Sequence, residues 1–141
     1  MLDRTEVALV TATPDDPLAG ANLHFLIQED TRVLIHSIIF LFTTDANVAT
    51  RRVAIQGWVG STPFVQAAAP GDQAANAIIT YHYAPCVLGI DGTTAHDKQW
   101  ATISEHLYLD RGHAIATDIT NMQVGDQISA VHIRYYQKLP R

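Results

Sequence analysis

Cysteine occurs once in this sequence, at Cys86. A single thiol excludes an intrachain disulfide and a cysteine-rich metal site. Charge is also sparse: Asp, Glu, Lys and Arg make up 16% of the residues, where about 25% is usual for soluble domains. The charge present leans negative, with 9 Lys and Arg against 14 Asp and Glu, a net charge of −5 and a pI near 5.7. The basic residues are scattered, and only Arg51 and Arg52 adjoin. That balance argues against a nonspecific nucleic-acid binder, which needs a basic face to neutralise phosphates. Long hydrophobic runs are missing too. The longest, VLIHSIIFLF at 33–42, is too short to cross a bilayer and contains His36. The opening MLDRTEVALVTATPDD places Asp3 and Glu6 where a secretory leader carries positive charge, so the expectation is a protein made and folded in a cytoplasm.

Catalytic signatures are absent as well. The histidines are His24, His36, His82, His96, His106, His113 and His132, and no two lie at the i, i+2 spacing that sets ligands side by side on a strand. No HExxH is present, nor the paired His-x-His of the cupin metalloenzymes. The serines lie in no G-x-S-x-G elbow, and the glycines match neither a phosphate loop nor a dinucleotide fingerprint. Cys86 has His82 four residues away, in a strand-like context that fixes no pairing. DGTTAHD at 91–97 is rich in oxygen donors but lacks the EF-hand spacing. The expectation is a protein that is not an enzyme and holds no metal or cofactor.

What the sequence does contain is β pattern. At 141 residues it has the length of one domain and enough chain to bury a core. Strand-like runs fall at 22–29, 32–44, 51–60, 74–84, 102–110, 113–122 and 126–139. The run at 32–44 has apolar side chains on both parities, as a strand covered on both faces would. The run at 51–60 alternates instead, with Val53, Ile55, Gly57 and Val59 against Arg52, Ala54, Gln56 and Trp58. Gly, Pro, Asp and Asn supply the turns between them. This spacing predicts an all-β, single-domain β-sandwich of about eight antiparallel strands. Two stretches are less regular. FVQAAAPGDQAANA at 64–77 is broken by Pro70–Gly71 and reads as a loop. TAHDKQWATISEHL at 94–107 has Trp100, Ile103 and Leu107 at helical spacing, but its apolar stripe is thin and β-branched residues interrupt it. Residues 1–20, with the Pro- and Asp-rich TATPDDPLAGAN link, form an extended N-terminal segment, either an edge strand or an arm reaching another subunit. Residues 21–141 form the sandwich.

A charge-poor β domain fits one that meets another chain, because interface cores are depleted in charge and enriched in Arg, Trp and Tyr. The candidate contact residues are Arg51, Arg52, Trp58, Trp100, Tyr135 and Tyr136. Each is an equally good core residue or strand-start residue, so the set carries the expectation and no single member does.

Two blocks carry a resemblance. SIIFLFTTDANVATRRVAIQGW (37–58) runs strand, TTDANVA-x-R corner, strand. ISEHLYLDRGHAIATDITNMQVGDQISAVHIRYY (103–136) supplies L-x-L-x-x-G-x-x-I-x-T and N-x-Q-x-GDQ-x-S before a last strand. Together they resemble the head decoration, or cement, proteins of tailed bacteriophages. The resemblance covers about two thirds of the chain, and residues 60–100 stand outside it. It implies a jelly-roll-like sandwich, assembled as a homotrimer on the capsid surface of the virion, with the major capsid protein as partner and with no nucleic acid or membrane bound. It also implies a long corner from Thr43 to Arg51, a tight hairpin at Gly112 and a last turn at Gly125, Asp126 and Gln127. His113 departs from it, standing where an Asp is more familiar. Two other functions suit the same architecture: a receptor- or glycan-binding head domain of a tail fibre or spike, with Trp100 beside DGTTAHD, and a small cupin-like enzyme built on the histidines.

Overall fold

The computed structural model describes residues 7–85 and 98–138. Cys86, His96 and the DGTTAHD stretch lie outside the described residues. The described chain is all-β: β1 (Val7–Ala12), β2 (His24–Leu26), β3 (Val33–Thr43), β4 (Val53–Val59), β5 (Thr62–Ala68), β6 (Ile78–Ala84), β7 (Lys98–Thr102), β8 (Tyr108–Leu109), β9 (Ala114–Ile119) and β10 (Gln127–Lys138). These form two packed sheets. The larger runs β1-β10-β3-β6-β7, with β8 also pairing β3, and the smaller runs β2-β9-β4-β5.

Several details differ from the sequence expectation. There are ten described strands where about eight were expected. β2 and β8 are only three and two residues long, and β5 occupies a stretch read as loop. β5 forms because Thr62–Ala68 folds straight back on β4 after the turn at Gly60 (φ 61°), before Pro70 is reached. The ring of Phe64 then covers Gly57 so closely that a Cβ there would fall 2.5 Å from it. Pairing is also not wholly antiparallel: β7 runs parallel to β6, with His82 opposite Trp100. The helical alternative at 94–107 is replaced, among its described residues, by β7 and a turn. Lastly, Gly112 (φ 87°) makes a turn in which the His113 N–H donates to the Asp110 carbonyl at 3.0 Å, but no hairpin. β8 before it belongs to the large sheet and β9 after it to the small one, so the turn carries the chain between layers.

β1 is the edge strand of the large sheet, paired antiparallel to β10 of the same chain from Val7↔Lys138 to Ala12↔Ile133. The core lies between the sheets. Val53 and Ile55 of β4 and Ile115 of β9 face Ile38, Phe40 and Phe42 of β3, all fully buried. Phe40, Tyr81 and Tyr83 stack with centroids 5.5–6.5 Å apart. Both tyrosines satisfy their hydroxyls inside, Tyr81 on Gln73 Oε1 at 2.9 Å and Tyr83 on the Val53 carbonyl at 3.1 Å. Burial, with a smaller contribution from Tyr81, pushes the Tyr83 phenol pKa well up.

Candidate interaction surface

Of the six residues expected at contacts, Arg51 has the most defined surroundings, and they are internal. Its side chain is 0% exposed. Nε and one Nη2 hydrogen bond Asp126 at 3.0 Å each, Nη2 also reaches Asp45 at 2.8 Å, and Nη1 donates to the carbonyls of Asn47 and Ala49 at 3.0 and 2.8 Å. A guanidinium has five N–H donors, and all are engaged. Within the single chain, all the donors of Arg51 are thus spent internally. The side chain organises the corner at residues 44–52, taking the chain from the large sheet to the small one.

Asp126 is equally saturated. Beyond Arg51 it accepts from the Asp45 N–H at 2.9 Å and the Gln123 N–H at 2.8 Å, while its own carbonyl accepts from Gly20 at 2.7 Å. One buried residue thus fastens three loops, its carboxylate holding the 44–52 corner and the turn at Gln123 and its carbonyl holding Gly20. Asp45 caps the same cluster, accepting from Asn47, Gly125 and Arg51. Burial alone would raise its pKa, but the Asn47 and Gly125 hydrogen bonds and the Arg51 charge outweigh it and hold the carboxyl below its ordinary value. The fastened loops carry Leu18, Val48 and Val124, the most exposed large hydrophobics described.

The other five candidates are dispersed. Arg52 is exposed and pairs with Asp72 at 2.8 Å. Tyr135 is a core residue, 4% exposed, and its hydroxyl donates to Glu29 at 3.0 Å. Burial first, then Glu29, pushes that phenol up to about 12. Tyr135 thus takes the core position that was one of its two readings. Trp58 lies half-buried on the outside of the small sheet, opposite Ala114 and Pro63 and edge-on to His24 at 5.7 Å. Its buried Nε1 has no hydrogen-bond partner among the described residues.

Trp100 and Tyr136 are the pair that the fold brings onto one surface, the outer face of the large sheet. Directly opposed residues in a sheet share a face. One cross-strand row is Leu9↔Tyr136↔Leu34↔Tyr108, and another is His132↔Ile39↔His82↔Trp100. His36 joins the first row by an edge contact to Tyr136 at 5.6 Å. His82 lies against Trp100 with centroids 4.2 Å apart. Burial and then the neighbouring His36 hold the His82 pKa below its ordinary value. A hollow of about 170 Å³ opens here, lined by Ile39, Thr80, His82, Lys98 and Trp100.

Two register irregularities shape this face. β3 carries an extra residue between Ile35 and Ser37 opposite Tyr135 and Arg134, and β10 carries one between Ser129 and His132. Ala130, in the second, has φ 51°. Each bulge switches which parity points inward. That is why Val33 and Ile35, then Ile38, Phe40 and Phe42, are all buried, while Leu34, His36, Ile39 and Leu41 remain half-exposed. Part of the apolar content on both parities of β3 thus comes from this parity switch. The rest is outward: the small sheet covers one face, and no described element covers the other. Leu9, Tyr136, Tyr108, Val7 and Ile78 on this side are all more than a third exposed.

A second concavity of about 340 Å³ runs along β2 and the residues after it, lined by His24, Leu26, Glu29 and Tyr135 among others. Glu29 there is already engaged by Tyr135 and by Gln137 Nε2 at 3.0 Å. Among the described residues no group of three or more His, Cys, Asp or Glu could hold a metal ion.

Fold and surface together define an all-β, two-sheet sandwich with an internally fastened corner and one open apolar sheet face. Comparison with known protein families, with characterised proteins and with solved structures gives no match in any of the three.

Proposed function

We propose that this chain is a structural virion protein of the head-decoration kind, which binds the outer surface of an icosahedral phage head as a trimer and stabilises the shell. The observation that carries the reading is the outward side of β3: Leu34, Ile39 and Leu41 stand half-exposed in the middle of the large sheet, flanked by Tyr136 and Trp100. A chain with 16% charged residues that leaves such a face open gains most by covering it with another protein. The resemblance of residues 37–58 and 103–136 to decoration proteins supplies the identity of that protein, the major capsid protein, and a jelly-roll-like variant of the sandwich. The energetics need no pocket. A subunit that binds the assembled shell and not free coat protein stabilises the shell by its binding free energy, multiplied over many copies.

The test is to add purified protein to expanded, undecorated heads of the phage that carries the gene. Saturable binding with a rise in the temperature at which heads release DNA is expected. Absence of binding at micromolar concentration overturns the reading. A second reading, a receptor- or glycan-binding head domain, is favoured by the Trp100–His82 hollow, since an indole beside a shallow recess can stack a sugar ring. Binding to host cells or to a glycan array without binding to heads would select it.

A further inference from the structure

The cations of this protein divide sharply by location. Among the described residues, each Arg outside the strands of the large sheet is ion-paired: Arg32 with Asp110, Arg51 with Asp45 and Asp126, Arg52 with Asp72, and Arg111 with Asp30. The remaining three, Lys98, Arg134 and Lys138, belong to that sheet, and none has an ion-pair partner among the described residues. The segregation is sharper still for anions. The chain has 14 Asp and Glu, yet not one occurs in β1, β3, β6, β7, β8 or β10. A protein of net charge −5 has kept every carboxylate off the strands of one sheet.

We propose that the open face of the large sheet docks a protein surface that is apolar at its centre and fringed by carboxylates. The inference rests on the structural reading above and specifies the chemistry of the partner. Lys98 lies on the edge strand β7, and Arg134 and Lys138 lie on β10, a strand set about 14 Å across the sheet from β7. Between them stand Leu34, Ile39 and the hollow beside Trp100. This is the anatomy of a protein interface, an apolar centre with polar groups at its rim. Five strand lanes at ~4.8 Å make a face roughly 24 Å wide, adequate for the ~800 Å² that each partner of a stable complex contributes. A nucleic acid is a poorer match. Three cations neutralise few phosphates, and the aliphatic centre offers a phosphate backbone nothing. Two copies meeting face to face match least, because a two-fold contact would set the same unpaired cations against each other with no carboxylate on the described strands to receive them.

The experiment has two arms. In the first, undecorated heads are titrated with wild-type protein, with K98E/R134E/K138E, and with R32E/R52E/R111E, which makes the same change in net charge outside the face. The face variant is expected to lose at least tenfold in affinity and the control less than threefold. Equal losses, or none in the face variant, overturn the proposal. The second arm uses wild-type protein alone, followed by amide NMR, against three probes: the random copolymer poly(Glu,Tyr), poly-Glu, and duplex DNA. Poly(Glu,Tyr) is expected to shift resonances of β10, β3 and β7 at lower concentration than either other probe. DNA acting equally well would make the face a general polyanion surface, no shift on the face would leave it without this specificity, and concentration-dependent broadening of the face without any probe would assign it to a second copy; each overturns the proposal. Binding of poly(Glu,Tyr) on the face without binding to heads sustains the proposal and fells only the capsid reading.

Discussion

Arg51 and Asp126, 75 residues apart in sequence, face each other through two side-by-side hydrogen bonds of 3.0 Å, and both side chains are wholly buried. Their pairing ties the corner after β3 to the turn before β10. The planar fork of the guanidinium matches the carboxylate edge to edge. Removing one partner leaves the other as a buried, unpaired charge, a loss of about 3–5 kcal/mol. Arg51→Ala is therefore expected to lower the unfolding free energy obtained from urea titration by an amount in that range, at unchanged m-value. Arg51→Lys should recover less than half of the loss, because a single ammonium cannot span Asp126, Asp45 and two carbonyls together. A loss under about 1 kcal/mol for Arg51→Ala would mean that the pair does not hold the corner.

The acid limb of stability should report on Asp45. Its pKa is held below the ordinary 3.8 in the folded chain, the opposing effect of burial being outweighed by hydrogen bonds from Asn47 and Gly125 and by Arg51. A depressed carboxyl contributes stability that is complete above its unfolded pKa and is lost as pH falls through the folded one. Melting temperature is thus expected to be flat with respect to this group above about pH 5 and to fall below about pH 4. Asp45→Asn should be less stable at pH 7 and should show a shallower decline between pH 4 and 2.5. Parallel curves for the two proteins would exclude Asp45 as a source of the acid limb.

The corner also shows what the sequence could and could not express. The β class, the two-sheet architecture and most strand positions were legible because alternation of apolar and polar side chains is a local signal. β5 was missed because the run of alanines and the Pro70–Gly71 pair weighed more than the fold-back of Thr62–Ala68 on β4, in which Ala67 and Ala68 themselves take part. Arg51 was legible as unusual but its role was not. Whether an arginine at a strand start points out or in depends on Asp126, which no local pattern connects to it. The open face was half legible. Apolar residues on both parities of β3 suggested a strand covered on both faces, but the bulges that redistribute them, and the lack of a second covering layer among the described residues, are tertiary facts. The strands without carboxylates could be read directly from the sequence once the sheet membership was known.

On the open face, His82 should titrate low and His36 should be part of the cause. Burial is the larger effect and the charge of His36 the smaller. The imidazole midpoint of His82, followed by NMR, is expected below 6.5, and His36→Gln is expected to move it upward without restoring it fully. The stability consequence has a definite sign. A histidine whose folded pKa is depressed binds protons more readily when unfolded, so its contribution falls as pH drops through 6.5 toward the folded value. A His82 midpoint unchanged by His36→Gln would separate the two rings electrically.

Adjacent isoleucines give the most direct separation of folding from adhesion. Ile38 is 0% exposed and faces the small sheet, while Ile39 next to it lies half-exposed on the open face between His82 and His132. Ile38→Thr removes buried apolar surface and places a hydroxyl in the core, a cost of about 2–4 kcal/mol. Ile39→Thr removes comparable surface from a site that water already reaches and keeps a β-branched residue in the strand, so it should cost under about 1 kcal/mol. For binding to heads the order reverses: material of the Ile38 variant that remains folded should bind as wild type does, and the Ile39 variant should bind several-fold more weakly. If Ile39→Thr proved as destabilising as Ile38→Thr, the face would be covered within the chain itself, and the surface assigned to the partner would belong to the core.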